Sequence, residues 1–307
     1  MSSVLVTGAT GFIGAALIPR LQGAGHRVRA YARRPEAVTS GVPVVAGDAV
    51  QGTGLDAALD EIDVAFYLVH SMEGKGTAQS FDGLELRAAE NFAAAAQRAG
   101  VRRVIYLGGL VPTDKVASRH LGSRLAVEEV LLGGRTPEAV AFRASLVVGA
   151  RSRSFRFLVR LVERAPLLPL PGWSGNRTRP IDERDVLALL LAAARSEAVT
   201  GPLSMDIAGP DVVTYGEMVE AIRDHLLLGR PAVRLPLTMT AVAAKFAAAI
   251  TGEDVGLVEP LMESLASDLL PRDEAAAAFF GVRMHSFDAA VEHALGAWEH
   301  TQALAGR

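Results

Sequence analysis

The stretch Val4-Leu5-Val6-Thr7-Gly8-Ala9-Thr10-Gly11-Phe12-Ile13-Gly14 decides how this chain is read. Three apolar residues make a short buried strand, three glycines follow at GxxGxxG spacing, and an apolar run of helix formers begins at Phe12. A turn this tight calls for glycine, because a Cβ blocks either a left-handed backbone or the close approach of another group. The helix that starts there offers unpaired backbone N–H groups and about half a positive charge of dipole. Strand, glycines and helix in this order form a seat for a pyrophosphate. That context separates a dinucleotide fingerprint from glycines that merely turn the chain.

The rest of the first half repeats the same grammar. Valine-rich runs occur at Val28–Ala32, Val42–Ala46, Val64–Val69, Val104–Leu107 and Ala139–Phe142. Between them, Phe12–Ala24, Asp82–Ala99 and Ser118–Leu132 are each long enough for a helix with one buried face. Near-continuous apolar strands separated by helices predict a parallel sheet covered on both sides. Right-handed crossovers wind such a sheet into a doubly wound α/β (Rossmann) domain, with its ligand crevice at the carboxyl ends of the strands. Those ends carry Thr7–Thr10, Arg33-Arg34, Asp48, His70-Ser71, Gly108-Gly109 and Ala144–Leu146.

Regularity fades after about residue 150. Pro166, Pro169, Pro171 and Gly172 mark an irregular loop that leads to Arg179-Pro180-Ile181-Asp182 and a helix opened by Asp185. Thr214-Tyr215-Gly216-Glu217 spells a capping box, in which threonine and glutamate three apart satisfy each other's backbone N–H groups. Further helices are expected at Ala241–Ile250, Glu259–Ala266 and Ser286–Leu304. The expected organisation is a nucleotide-binding domain over 1–150 and a smaller, mainly helical cap over 151–307, partly interleaved with the first.

Composition narrows the function. The net charge of −3 over 307 residues argues against a nucleic-acid partner. With 50% hydrophobic and 21% charged residues, the chain is of the folded class. There is no cysteine, which excludes disulfides, thiol catalysis and thiolate metal sites and suits a reducing compartment. The seven histidines show no metal-ligand spacing, so no metal is expected. Met1-Ser2-Ser3 runs directly into the first strand without space for a signal peptide. No apolar run approaches the ~20 residues of a membrane span. A cytoplasmic protein with a small-molecule substrate and no membrane partner is expected, its oligomeric state left open.

Several further motifs occur in order along nearly the whole chain. They are Gly47-Asp48 after the third strand, Tyr67-Leu68-Val69-His70-Ser71-Met72, Val101 to Leu110, Arg179-Pro180-Ile181, and Asp206 to Asp211 followed by Thr214-Tyr215. Together with the glycine motif they resemble the atypical short-chain dehydrogenase/reductases of the extended, NmrA-like, NAD(P)H-binding group, whose cap the last of these motifs matches. The resemblance implies that Gly8, Thr10, Gly11 and Gly14 form the cofactor turn, with the backbone of Phe12 and Ile13 at the pyrophosphate. It places Asp48 at the adenine amino group, against the plainer role of a turn aspartate that satisfies its own backbone. Val69 and His70 lie where the nicotinamide ribose passes, and Gly108 at the next strand end completes the cofactor set.

An NAD-specific relative carries an acidic residue at the end of the second strand for the ribose hydroxyls. Here that place reads Ala30-Tyr31-Ala32-Arg33-Arg34-Pro35. Guanidinium pairs with phosphate through parallel charge-assisted hydrogen bonds. Such bonds contribute ~1.5–3 kcal/mol each, or roughly ten- to hundredfold in affinity. NADP(H) is the expected cofactor, with a solvated surface pair as the other reading of the arginines.

Catalytic members of the group carry Tyr-x-x-x-Lys after the fifth strand. The corresponding stretch is His120-Leu121-Gly122-Ser123-Arg124, in which Ser123 keeps the register, His120 takes the tyrosine position and Arg124 the lysine position. Arginine stays protonated and relays no proton. Its charge favours neutral imidazole at His120, which donates one hydrogen bond and is a poor acid. General acid catalysis is typically worth a factor of 10²–10⁴. Hydride transfer without it is confined to activated acceptors such as quinones, enones or iminium ions. The alternatives are that His120 only orders a loop, and that the chain is a non-catalytic NADP(H) sensor or assembly protein. Tyr106 reads as core. Arg156, Arg160 and Arg164 read as a basic stripe, and Trp173 as a candidate for lining the substrate pocket or for plain packing.

Overall fold

The computed structural model describes residues 1–69, 78–112, 119–165, 167–234, 265 and 267–304. The first half alternates strand and helix: β1 (Ser3–Thr7), α1 (Phe12–Gly23), β2 (Arg27–Ala32), β3 (Val44–Ala46), α2 (Leu55–Leu59), β4 (Val64–Tyr67), α3 (Ala78–Arg98), β5 (Arg103–Gly109), α4 (Arg119–Gly133) and β6 (Glu138–Ala144). The second half adds β7 (Val147–Val148), α5 (Arg153–Arg164), β8 (Leu168–Leu170), β9 (Arg177–Thr178), β10 (Ile181–Asp182), α6 (Glu183–Arg195) and β11 (Pro202–Ile207). It continues with β12 (Val213–Thr214), α7 (Tyr215–His225), β13 (Ala232–Arg234), α8 (Ala275–Phe280) and α9 (Phe287–Glu299).

Seven strands form one parallel sheet in the order β3-β2-β1-β4-β5-β6-β11. Both faces are covered, which is why the strands read as unbroken apolar runs rather than alternating ones. Val4, Val6, Phe66, Ile105, Leu107, Val140 and Phe142 face α1 and α6. Leu5, Ala65, Tyr67, Val104, Tyr106 and Ala141 face α2, α3 and α4. A separate apolar core lies in the second half of the chain, formed by α5, α7 and α9 around Phe155, Trp173, Tyr215, Met218, Val291 and Trp298.

Three expectations need correction. The strand expected from Val42 starts at Val44. The helix expected to open at Asp185 opens at Glu183, because Asp182 is its cap and accepts the Arg184 N–H at 2.7 Å. Asp185 is instead a buried first-turn residue that accepts both the backbone N–H and the ring Nδ1 of His285, at 2.8 and 2.6 Å. Asp206-Ile207, the start of the Asp206–Asp211 stretch that resembles the family's cap, instead ends the seventh strand of the main sheet, Pro202–Ile207, which pairs with β6 from Pro202↔Ala139 to Ile207↔Ala144. The helix expected at Ala241–Ile250 and all but Leu265 of Glu259–Ala266 lie outside the described residues. The capping box is present, with Glu217 N–H on Thr214 Oγ1 at 3.1 Å and Thr214 N–H on Glu217 Oε2 at 2.7 Å.

One buried charge links the two halves. Arg103, on β5, has only 1% of its side chain exposed. It donates to Glu138 Oε2 at 2.6 Å, to Ser196 O at 2.8 Å and to Ala193 O. The last two are carbonyls at the end of α6, which have no partner within the helix. A cation there also complements the helix dipole. Replacing Arg103 by Met removes the charge but strands those carbonyls and unbalances Glu138. Loss of about 3 kcal/mol or more is expected in urea unfolding, while Arg102→Met, an exposed partner of the same carboxylate, costs less than about 1 kcal/mol.

His26 is buried, and neither ring nitrogen has a hydrogen-bond partner among the described residues. Burial first, then the Arg195 guanidinium and the N-terminal ammonium, push its pKa below the ordinary imidazole value, with the Ser2 backbone acting weakly in the other direction. The folded state therefore keeps His26 neutral, while the unfolded chain takes up a proton below its ordinary pKa of about 6.5. Stability from this site is complete above that pH and is lost as pH falls below it, at up to about 1.4 kcal/mol per pH unit. His26→Leu is expected to remove that part of the slope below about pH 6.5 in urea-midpoint measurements.

Candidate functional site

The strand order reverses between β1 and β4, and a doubly wound sheet opens its ligand crevice at that point. Thr7 joins the two strand ends: its hydroxyl donates to Phe66 O at 2.9 Å and accepts the Leu68 N–H at 3.0 Å. Gly8 follows in the left-handed region, at φ +63°. A Cβ at Gly8 would collide with the Leu68 carbonyl, and one at Gly14 with the Gly8 carbonyl. A Cβ at Gly11 would come no nearer than 3.1 Å, also to the Gly8 carbonyl. Gly8 and Gly14 are thus required by the fold, while Gly11 is kept small on its outward side.

Gly11 is also the N-cap of α1 and brings no side chain to cap it, and the first turn holds no acidic residue. The Gly11 N–H is taken by Gly8 O at 2.8 Å, which leaves the N–H groups of Phe12 and Ile13 for an anion. Thr10 and Gly11 are exposed beside them. A cradle that side chains would fill, with free amides and no acidic residue in the first turn of the helix, fits a pyrophosphate.

Arg33 and Arg34 follow β2 and are exposed, with no ion pair among the described residues. Asp48 is half-buried, and its Oδ1 accepts the Val50 N–H at 2.8 Å in an Asx turn. The turn uses Oδ1 and leaves Oδ2 without a partner among the described residues. The loop is held from beneath by Asn91 on α3, which donates to Ala49 O at 2.9 Å and Val50 O at 3.0 Å. Tyr31 donates to Thr53 O at 2.7 Å, and burial together with Asp48 pushes its phenol up to about 12.

Val69 is half-buried just past β4. His70, Ser71 and the side chain of His120 lie outside the described residues. Gly108 and Gly109 end β5. The Tyr106 ring lies across Gly108, leaving 2.8 Å where a Cβ would be. The Leu121 side chain and the Arg124 stem pack on Gly109. Tyr106 is core, as expected: 2% exposed, 6.2 Å from the Tyr67 ring, donating to Arg124 O at 3.2 Å. Burial raises its pKa, and the Arg124 charge opposes that shift. Ser123 donates to Glu85 Oε2 at 2.7 Å and ties α4 to α3.

The cap candidates resolve differently. Trp173 is 8% exposed and stacks edge-on against Tyr215 at 6.4 Å, so it packs the cap core. Arg156 and Arg160 lie over the Trp298 ring at 4.7 and 4.8 Å, which makes two-thirds of the basic stripe an internal cation–π contact. Two residues near the cradle escaped the sequence reading. Glu183, at the start of α6, brings its carboxyl beside the Phe12 ring at Gly149. Burial, then the neighbouring Asp182, raise its pKa, while Arg20, Arg184 and Arg151 lower it. Arg151 lines a cleft with Thr10 and Ala15. Arg151 follows the short strand β7 and Glu183 opens α6, and neither position carries a local sequence signal that points to the glycine turn.

Residues 8–132 match the family model described as NAD(P)H-binding. Those residues run from the Gly8 turn to the last turn of α4 and so include the glycine cradle. The chain is 29% identical over 236 residues to the (4-alkanoyl-5-oxo-2,5-dihydrofuran-3-yl)methyl phosphate reductase of Streptomyces griseus, covering 74% of each protein. It is 26% identical over 250 residues to subunit 9 of the mitochondrial NADH dehydrogenase (ubiquinone) 1 alpha subcomplex of Arabidopsis thaliana, across 78% of this chain. That match spans 61% of the plant subunit's own length. In fold, the chain resembles the UDP-glucuronic acid 4-epimerase of Bacillus cereus solved in complex with NAD, at a TM-score of 0.73 and 15% identity, with 98% and 97% of the two chains covered. No helix among the described residues is long and apolar enough to cross a membrane.

The cradle geometry separates fold from binding. Gly11→Val is expected to fold with a midpoint close to that of the parent, yet weaken NADH and NADPH alike by at least about tenfold in calorimetry. Gly14→Val, whose Cβ meets backbone, is expected to lose stability by about 1–3 kcal/mol or more.

Proposed function

We propose that this chain is an NADPH-dependent oxidoreductase that reduces a small activated organic acceptor of the quinone, enone or imine type. The observation that carries the reading is the packing of Arg124 on Gly109 at the strand end beyond an intact nucleotide cradle. The bound nicotinamide supplies the hydride. The protein's part is to hold that cofactor and place an acceptor over it, since a permanently protonated guanidinium relays no proton. His120, on the first turn of α4, donates one hydrogen bond to the oxygen or nitrogen on which charge develops. An acceptor that brings its own electron-withdrawing group needs no stronger acid.

The name of the Streptomyces relative describes such an acceptor, a ring alkene conjugated with two carbonyl groups. The exposed Arg33-Arg34 pair, with no carboxylate before Glu36, supports NADPH over NADH. The substrate pocket is assigned to residues 151–307, and the cysteine-free composition supports a cytoplasmic setting. A second reading, a non-catalytic NADP(H)-binding sensor or assembly protein, is favoured by the similarity to a subunit of a large complex and by the same His120 and Arg124 replacements.

The test follows NADPH consumption against a panel of quinones, enones and imines, with binding measured in parallel. Turnover that falls roughly ten- to a thousandfold in His120→Ala, at nearly unchanged NADPH affinity, is the expected result. Tight NADPH binding without turnover on any acceptor replaces the first reading by the second. Turnover that is indifferent to His120→Ala removes that residue from the mechanism.

A further inference from the structure

We infer that Arg151, contributed by the chain after β7, reads the 2′-phosphate of the cofactor's adenosine ribose. The inference rests on the NADPH reading above and adds a residue from the second half of the chain to it. A cleft of about 60 Å³ lies between the glycine turn and the loop that follows β2. Thr10 and Ala15 form one wall, Ala37, Thr39 and Ser40 the other, and Arg151 closes it.

The location is what gives the cleft meaning. In a doubly wound sheet the adenosine ribose lies beside the glycine turn, and its 2′ substituent is met by whatever follows β2. The two walls here are those two segments. Among the described residues no carboxylate lines the cleft, and Glu36, the first one after β2, is exposed and outside it. The Ser40 hydroxyl is shielded from solvent and has no partner among the described residues, so a donor already lines the cleft. Arg151 is exposed and has no ion pair among the described residues. A guanidinium offers five donors in a planar fork that matches phosphate oxygens. Arg33 and Arg34 precede Ala37 on the β2 side and do not themselves line the cleft, so Arg151 is the guanidinium placed in it.

The competing role is plain. Arg151 also acts on the Glu183 carboxyl beside Phe12, and serving as its counter-charge would explain an arginine here without any cofactor. A third possibility is that it holds the pyrophosphate, which both cofactors share.

Calorimetry on the full chain with adenosine 2′,5′-bisphosphate and adenosine 5′-monophosphate separates these roles, because the two probes differ only in the 2′-phosphate. Arg151→Ala is expected to weaken the bisphosphate by roughly ten- to hundredfold and to leave the monophosphate within about twofold. Arg151→Lys is expected to recover part of the loss, since it keeps charge without the fork. Equal weakening of both probes assigns Arg151 to the shared phosphates and overturns the inference. Unchanged binding of both leaves it as the partner of Glu183 and overturns it as well. If the unmodified protein binds the two probes equally, the NADPH reading itself fails, whatever Arg151→Ala does.

Discussion

The close approach of the Gly8 backbone to Leu68, where β1 and β4 part, is the constraint on which the rest depends. Two strand ends can be this near only if one has no side chain and the other is held in place, here by the Thr7 hydroxyl, which bonds both the carbonyl of Phe66 and the amide of Leu68. That contact sets where α1 begins. It leaves the first amides of the helix without internal partners at the mouth of the crevice. The same backbone geometry therefore costs the protein a special residue and supplies an anion site.

A second dependency runs through Arg103. A fully buried arginine is expensive unless every donor is engaged, and this one is engaged by Glu138 and by carbonyls at the end of α6. The nucleotide half thereby relies on a helix from the second half. With β11 as seventh strand, the main sheet itself is completed from the second half of the chain.

Most of the sheet was legible because its strands are buried on both faces and so read as unbroken valine-rich runs. Pro202–Ile207 was not, since a proline, a serine and an aspartate interrupt the apolar pattern of an edge strand. The cradle was legible because glycine spacing encodes backbone geometry directly. Arg151 and Glu183 were not, because they come near Thr10 and Phe12 only through the path of β7 and α6, and no local pattern in sequence marks a long-range approach. Trp173 and the arginine stripe were ambiguous for a related reason. Large side chains at a loop or on a helix face look alike whether they meet a ligand or, as here, Tyr215 and Trp298.

The late arrival of β11 has a consequence for how the chain is made. As synthesis passes Ala144, β6 is the outermost strand and offers a row of unsatisfied amides and carbonyls until Pro202–Ile207 leaves the ribosome. Arg103 waits over the same interval for the carbonyls of α6. Until the second half follows, the first half therefore carries both an unpaired strand edge and an arginine without its helix-end carbonyls.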